Sequence, residues 1–188
     1  IMDKFEACLK PVLDYEAGWA NNPADRGGET IFGVARNSNP NWPGWPKVDE
    51  LKHRPDFPAR ANADAELKAL AVKLYRESYW NPIHGDELPE RLALVVLDHA
   101  INSGAKTAAK EIQNVLGVLV DGIIGQKTVK AAHDQGDRAV KRLLKRRLRI
   151  YHDITKAKPD QEIWIDNWFG RIVELCWLLK DEPPAPNT

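Results

Sequence analysis

Cysteine and methionine are scarce in this chain, with two of the first and one of the second in 188 residues. Cys8 and Cys176 sit far apart in apolar patterns. That is no disulfide framework, and two buried free thiols are expected. No apolar run approaches the roughly 18 residues of a membrane span, and Ile1-Met2-Asp3-Lys4 lacks the core of a signal peptide. Charge of one sign is lacking too. Basic and acidic side chains number 27 each, so whole-molecule attraction to nucleic acid or to an anionic membrane is not implied, and only a local patch would provide it. There is no internal repeat and no low-complexity domain. Metal-ligand spacing is absent around His99, which reads as structural, and neither metal nor cofactor is expected.

What is present is a helical pattern broken by one irregular region. Asp3 and Glu6 read as a helix-start capping pair, followed by Phe5, Leu9, Val12, Leu13 and Glu16 at helical spacing. Pro11 should kink or split that helix, and Gly18 should stop it. Residues 18–46 have little helical character. Ile31 to Ala35 suits a strand of a small hairpin, and Trp42 and Trp45 lie in a Pro-rich loop that should hold them. From Asn62 the helical signal returns and runs to about Trp80. Arg91 to Ser103 is apolar nearly all round and reads as a central buried helix. Further helices are expected over 106–116, 126–135, 137–157 and from Asp160, the last with Ile163, Trp164, Trp168, Ile172, Leu175 and Leu179 in one stripe. The expected architecture is all-α with a minor β hairpin.

The chemistry is expected between Tyr15 and Gly33. Glu16 stands at a helix end, where Leu13, Tyr15 and Trp19 would form an apolar wall that keeps its carboxyl protonated near neutral pH. Asp25 and Thr30 follow on a glycine-bearing loop, placed to steady a developing oxocarbenium charge and to position a water. Taken singly, each residue has a plainer reading: a solvated Glu in a last turn, an Asp in a turn, a Thr entering a strand. Asp98 and Asn102, four apart, share one helix face. They read equally as cleft-lining groups and as a pair bracing the core, and Asp98 is the second choice for a catalytic carboxylate. Tyr79 and Trp80 suit either sugar stacking or the core, and the same two readings hold for the seven tryptophans of the chain, often core but, where exposed, a platform for sugars or partners.

Taken jointly, these residues resemble a known family. Glu16-Ala17-Gly18-Trp19, Asp25-Arg26-Gly27-Gly28-Glu29-Thr30 and Phe32-Gly33-Val34 look like glycoside hydrolase family 108, whose pattern is Glu-Gly-Gly-aromatic, Asp-x-Gly-Gly-x-Thr, aromatic-Gly-Ile. Tyr79-Trp80, Leu88-Pro89, Asp98 to Gly104, Gln113 to Gly117, Asp121 to Thr128 and Trp168 to Arg171 look like the predicted peptidoglycan-binding region that accompanies it. Two departures stand out: Ala17 replaces the usual Gly, and the gap from Asp25 to Thr30 is one residue shorter than in phage-type lysozymes. The resemblance implies a two-lobed lysozyme-like fold, with a catalytic lobe over 1–95, a helical lobe over 96–180 packed with it as one unit, and a flexible tail over 181–188. It implies an N-acetylmuramidase of the phage endolysin type, with Glu16, Asp25 and Thr30 catalytic and Trp19, Phe32, Tyr79, Trp80, Asp98 and Asn102 on the substrate. The implied partner is peptidoglycan, with no nucleic acid, and a monomer is expected. A chain of this type without its own signal would wait in the host cytoplasm and act in the periplasm once the membrane opens.

Three other readings stay open: a lytic transglycosylase, a non-catalytic wall-binding module suggested by the Asp121-Gly122 turn, and a membrane-active cationic protein. The last rests on the helix bearing Arg138, Lys141, Arg142, Lys145, Arg146 and Arg149, whose cations would face an anionic outer-membrane surface or simply solvent.

Overall fold

The computed structural model describes residues 3–15, 18–21 and 27–180. The fold begins with the capping pair the sequence calls for. The Asp3 carboxylate accepts from the Glu6 amide at 2.7 Å, and the Glu6 carboxylate accepts from the Asp3 amide at 3.3 Å. Helix α1 (Lys4–Tyr15) follows and runs on through Pro11 rather than splitting there. Its buried face is Phe5, Cys8, Leu9 and Val12.

After α1 come three two-residue strands, β1 (Trp19–Ala20), β2 (Thr30–Ile31) and β3 (Val34–Ala35), in an antiparallel sheet of order β1-β2-β3. The expected hairpin is there, with β1 added to it. Then come α2 (Trp45–Leu51), the single turn α3 (Ala59–Asn62) and α4 (Ala65–Tyr75). Asp64 caps α4, accepting from the amides of Glu66 and Leu67 at 3.0 Å each. The helix continues past Tyr75 as a π turn over Arg76–Trp80.

Helix α5 (Glu90–Ser103) is the central one. Leu92, Ala93, Val95, Val96, Leu97, Asp98, His99 and Ala100 are all buried, because the helix packs on α1, on α6 (Ala105–Leu116) and on α8 (Asp137–Ala157). Each fully buried Leu of this helix stabilises the fold by roughly 2–3 kcal/mol. Helix α7 (Gln126–Gln135) lies between α6 and α8, and α9 (Ile165–Leu178) closes the chain after a 3-10 turn over Pro159–Trp164. The result is mostly α and lysozyme-like, as expected. The boundary expected at 95/96 falls within α5.

Two expectations about the last helix are corrected. Ile163 and Trp164 are 77% and 40% exposed, because the 3-10 turn takes them out of the α-helical register. Cys176 is exposed rather than buried, since it lies on a flank of α9 that the core does not cover. Cys8 is buried as expected, and burial, reinforced by Glu90, pushes its thiol up to about 12.

Candidate active site

The described part of the site is the small sheet and what pins it. Strand pairing sets Trp19 opposite Ile31 and Ala20 opposite Thr30 on one side of β2, and Ile31 opposite Val34 and Thr30 opposite Ala35 on the other. Alternation therefore splits the sheet. Ile31 and Val34 are buried in the core, while Thr30 stands in a row between two alanines. The Thr30 hydroxyl donates to the Gly28 carbonyl at 3.3 Å.

The β2–β3 turn is Phe32-Gly33, with φ of 50° and 73°. Positive φ at both central residues is the two-residue hairpin geometry that matches strand twist, but a Phe there is unusual. It is held in place from outside. The Phe32 ring is buried, and the Tyr75 hydroxyl donates to the Phe32 carbonyl at 3.0 Å. Tyr75 packs in turn against Tyr79, ring centroids 5.7 Å apart. The π turn thus sets a half-buried Tyr79 against the tyrosine that holds the hairpin, with its own hydroxyl pushed upward in pKa by burial.

Glu29 holds the loop side, and sequence reasoning passed over it. It is buried, and both its carboxylate oxygens receive Lys52, at 2.7 and 2.8 Å. Arg36 reaches it at 2.8 Å and the Trp19 indole donates to it at 2.6 Å. Burial pulls the Glu29 carboxyl upward, but Lys52, Trp19 and Arg36 outweigh it and hold the group below its ordinary range. Asp49 extends the network, pairing with Arg36 at 2.6 Å and Lys52 at 3.0 Å. Trp19 is fixed at two further points: its amide donates to the Asn62 side chain at 2.7 Å, and its ring meets Phe57 edge-on at 4.7 Å. Gly28 is required here, because a Cβ would meet the Asn37 side chain at 2.9 Å on a backbone of φ 67°. Sequence alone carried a weak sign of Glu29, an acid between a Gly pair and a strand. It carried none of its partners at 36 and 52.

Glu16 and Asp25 lie outside the described residues. Of the other expected site residues, Trp19, Thr30 and Phe32 belong to the small sheet and its turn, and Tyr79 is linked to them through Tyr75. Trp80 is not part of it as a stacking surface. It is wholly buried against Phe5, at 5.4 Å between centroids, and its ring fills the space beside Gly85. Asp98 is turned toward α8 and α9. Its carboxylate bridges Arg147 at 2.7 Å and Arg171 at 2.8 Å, all three side chains being buried. Asn102, exposed, donates to the Asp98 backbone carbonyl at 2.7 Å. The bracing reading of this pair is the one the contacts match.

His99 adjoins that ion cluster and is buried. Burial pushes its pKa down to about 4, with Arg147 adding to the effect and Asp98 opposing it. A histidine depressed in the folded state gives stability above its unfolded pKa and loses it as pH falls, because the unfolded chain takes the proton first. The thermal midpoint should therefore fall between pH 6.5 and about 4, by the equivalent of about 3 kcal/mol at most, and His99→Gln should flatten that limb. A pH series of unfolding scans on the two proteins checks this.

The turn at Asp121 is a structural corner. Asp121 accepts from the Ile123 amide at 2.8 Å and from the buried Gln113 side chain at 2.7 Å, and Gln113 accepts from the Gly122 amide at 2.8 Å. Among the described residues there is no group of three or more His, Cys, Asp or Glu able to hold a metal ion.

Comparison with known proteins bears on the family and the fold. The family described as Glycosyl hydrolase 108 matches residues 9–104. The one described as Predicted Peptidoglycan domain matches residues 107–173. Among solved structures the chain is similar to SagA of Brucella abortus, at 30% identity and a TM-score of 0.67, over 91% of this chain and 90% of that one. No curated protein shows significant similarity to it. The first match begins within α1 and takes in the sheet and α5, and the second ends in α9 beyond Arg171. The chain belongs to glycosyl hydrolase family 108 and is a glycosidase that acts on peptidoglycan.

Proposed function

We propose that the chain is an N-acetylmuramidase that hydrolyses the β-1,4 bond between N-acetylmuramic acid and N-acetylglucosamine. Glu16 is the general acid that protonates the leaving oxygen. Asp25 steadies the positive charge that develops on the sugar ring or acts on the attacking water, with Thr30 assisting. The observation that carries the reading is the joint spacing of Glu16, Asp25 and Thr30 within the part of the chain that matches the glycosidase family. The sheet supports it. Thr30 stands between Ala20 and Ala35, small residues that leave room for a sugar, and the Glu29 network stiffens the segment that leads to it. Half-buried Trp19 in β1, and Tyr79 behind Tyr75, are the aromatic rings that would stack on a glycan.

The test separates catalysis from binding. Purified peptidoglycan incubated with the protein should release soluble fragments, whereas a wall-binding module would sediment with the walls and release none. Asp25→Asn should lower the release more than Thr30→Ala does. Equal release from both variants and the parent would remove Asp25 and Thr30 from the mechanism.

A further inference from the structure

Helix α9 carries an apolar flank that the core leaves uncovered. Phe169, Val173 and Trp177 are 39%, 52% and 65% exposed. Their spacing of four residues puts them on one side of the helix. With Cys176 they line a groove of about 470 Å³ whose other wall is Leu148 of α8. Lys180 sits at its end, 4.8 Å above the Trp177 ring. Exposed aromatic and branched apolar side chains gathered along one groove mark an interaction surface.

The adjoining edge of α8 is cationic. Lys141 and Lys145 precede Leu148 by seven and three residues and so border its side of the helix, Arg138 lies one turn before Lys141, and Arg149 lies farther round, where with Lys145 it reaches the hollow lined by Asn114 and Val115 of α6. All four are exposed, and none forms an ion pair among the described residues. The other cations of the helix are accounted for differently. Arg146 pairs with Glu111, Arg142 bonds Gln135 at 3.0 Å, and Arg147 is buried on Asp98. In a chain of zero net charge, this edge is a local field rather than a share of a general excess.

We propose that the cationic edge of α8 and the apolar flank of α9 together seat the protein on a bilayer rich in anionic phospholipid. Trp177, Val173 and Phe169 enter the boundary between headgroups and acyl chains, while Lys141, Lys145 and Arg149 lie on the lipid phosphates. Charge complementarity decides the occupant. An apolar protein partner would leave the row of unpaired cations without a counterpart, and a polyanion such as nucleic acid would leave Val173 and Trp177 without one. Interfacial binding uses both at once. This surface is independent of the glycosidase reading, since none of its residues belongs to the sheet or to its flanking aromatics.

The full chain is sedimented with vesicles of phosphatidylcholine alone and of equimolar phosphatidylcholine and phosphatidylglycerol. It should be retained by the second and not by the first, and added salt should release it. The triple variant Lys141→Gln, Lys145→Gln, Arg149→Gln should partition at least about tenfold more weakly, and Trp177→Ser about tenfold more weakly. Both should digest purified walls at the parent rate. Cys176 is exposed and Cys8 buried, so a fluorescent thiol label goes to Cys176 and should be quenched by nitroxide lipids in the anionic vesicles. Failure of the anionic vesicles to retain the chain would overturn the proposal, as would variants that bind like the parent. A lipid-free dimer that Trp177→Ser dissociates would overturn it as well, by showing that a second copy covers the flank.

Discussion

Glu16→Gln is expected to keep the fold and to lower the rate of wall digestion by roughly a hundred- to ten-thousandfold, the range lost with a general acid. Gln preserves the size and polarity of the side chain and removes only the proton it could deliver. Stability should change little, because the helix that leads to this position is anchored elsewhere, by Phe5, Leu9 and Val12 in the core and by the Asp3–Glu6 capping pair. The proton matters because the leaving sugar oxygen departs poorly as an alkoxide. An acid that stays protonated near neutral pH requires an apolar seat, which the sequence pattern assigns to Leu13, Tyr15 and Trp19. Turbidity loss of purified walls, measured beside circular dichroism and a melting scan, tests this. A Glu16→Gln protein that keeps more than about a tenth of the parent rate would not fit an acid of this strength.

Asp98→Ala is expected to act through stability instead. The substitution takes the shared carboxylate from Arg147, which is fully enclosed, and from Arg171, which is nearly so. Breaking a buried pair by removing one partner costs about 3–5 kcal/mol, since the remaining charge is left in low dielectric. For a domain of this size that lowers the melting temperature by roughly 10 °C. The same experiment decides between the two readings that sequence left open for Asp98. A bracing carboxylate, once replaced, gives a protein that melts early but digests walls at close to the parent rate in the cold. A catalytic carboxylate gives the reverse, an unshifted melt and a lost rate. The buried bridge from Asp98 to Arg147 of α8 and Arg171 of α9 predicts the first outcome.

The sequence revealed what depends on nearby residues. The apolar run from Leu92 to Ala100 implied a buried central helix, and α5 is buried at eight of those nine positions. The capping pair at Asp3 and the start of α4 near Asp64 were equally legible, because caps act over three residues. Hidden features depend on distant partners or on a change of helical period. Asp98 reaches Arg147 and Arg171 across 49 and 73 positions, and nothing local marks either arginine as its partner. Arg147 reads as one more cation of a basic helix until its burial is seen. The π turn at Arg76–Trp80 shifts the register of Tyr79 and Trp80, so a period of 3.6 could not tell which of the two rings the core would take. At the candidate site, Thr30 and its neighbours were legible as a motif. Glu29, the buried acid that organises them, was read only as a spacer within it.

Digestion of purified peptidoglycan, with mass spectrometry of the soluble products, tests the central claim most directly. Hydrolysis by water predicts fragments that end in a reducing N-acetylmuramic acid, which borohydride converts to muramitol, and their absence from the Glu16→Gln digest. Fragments one water lighter, ending in 1,6-anhydro-muramic acid, would contradict hydrolysis, and reducing ends on N-acetylglucosamine would contradict the bond assigned.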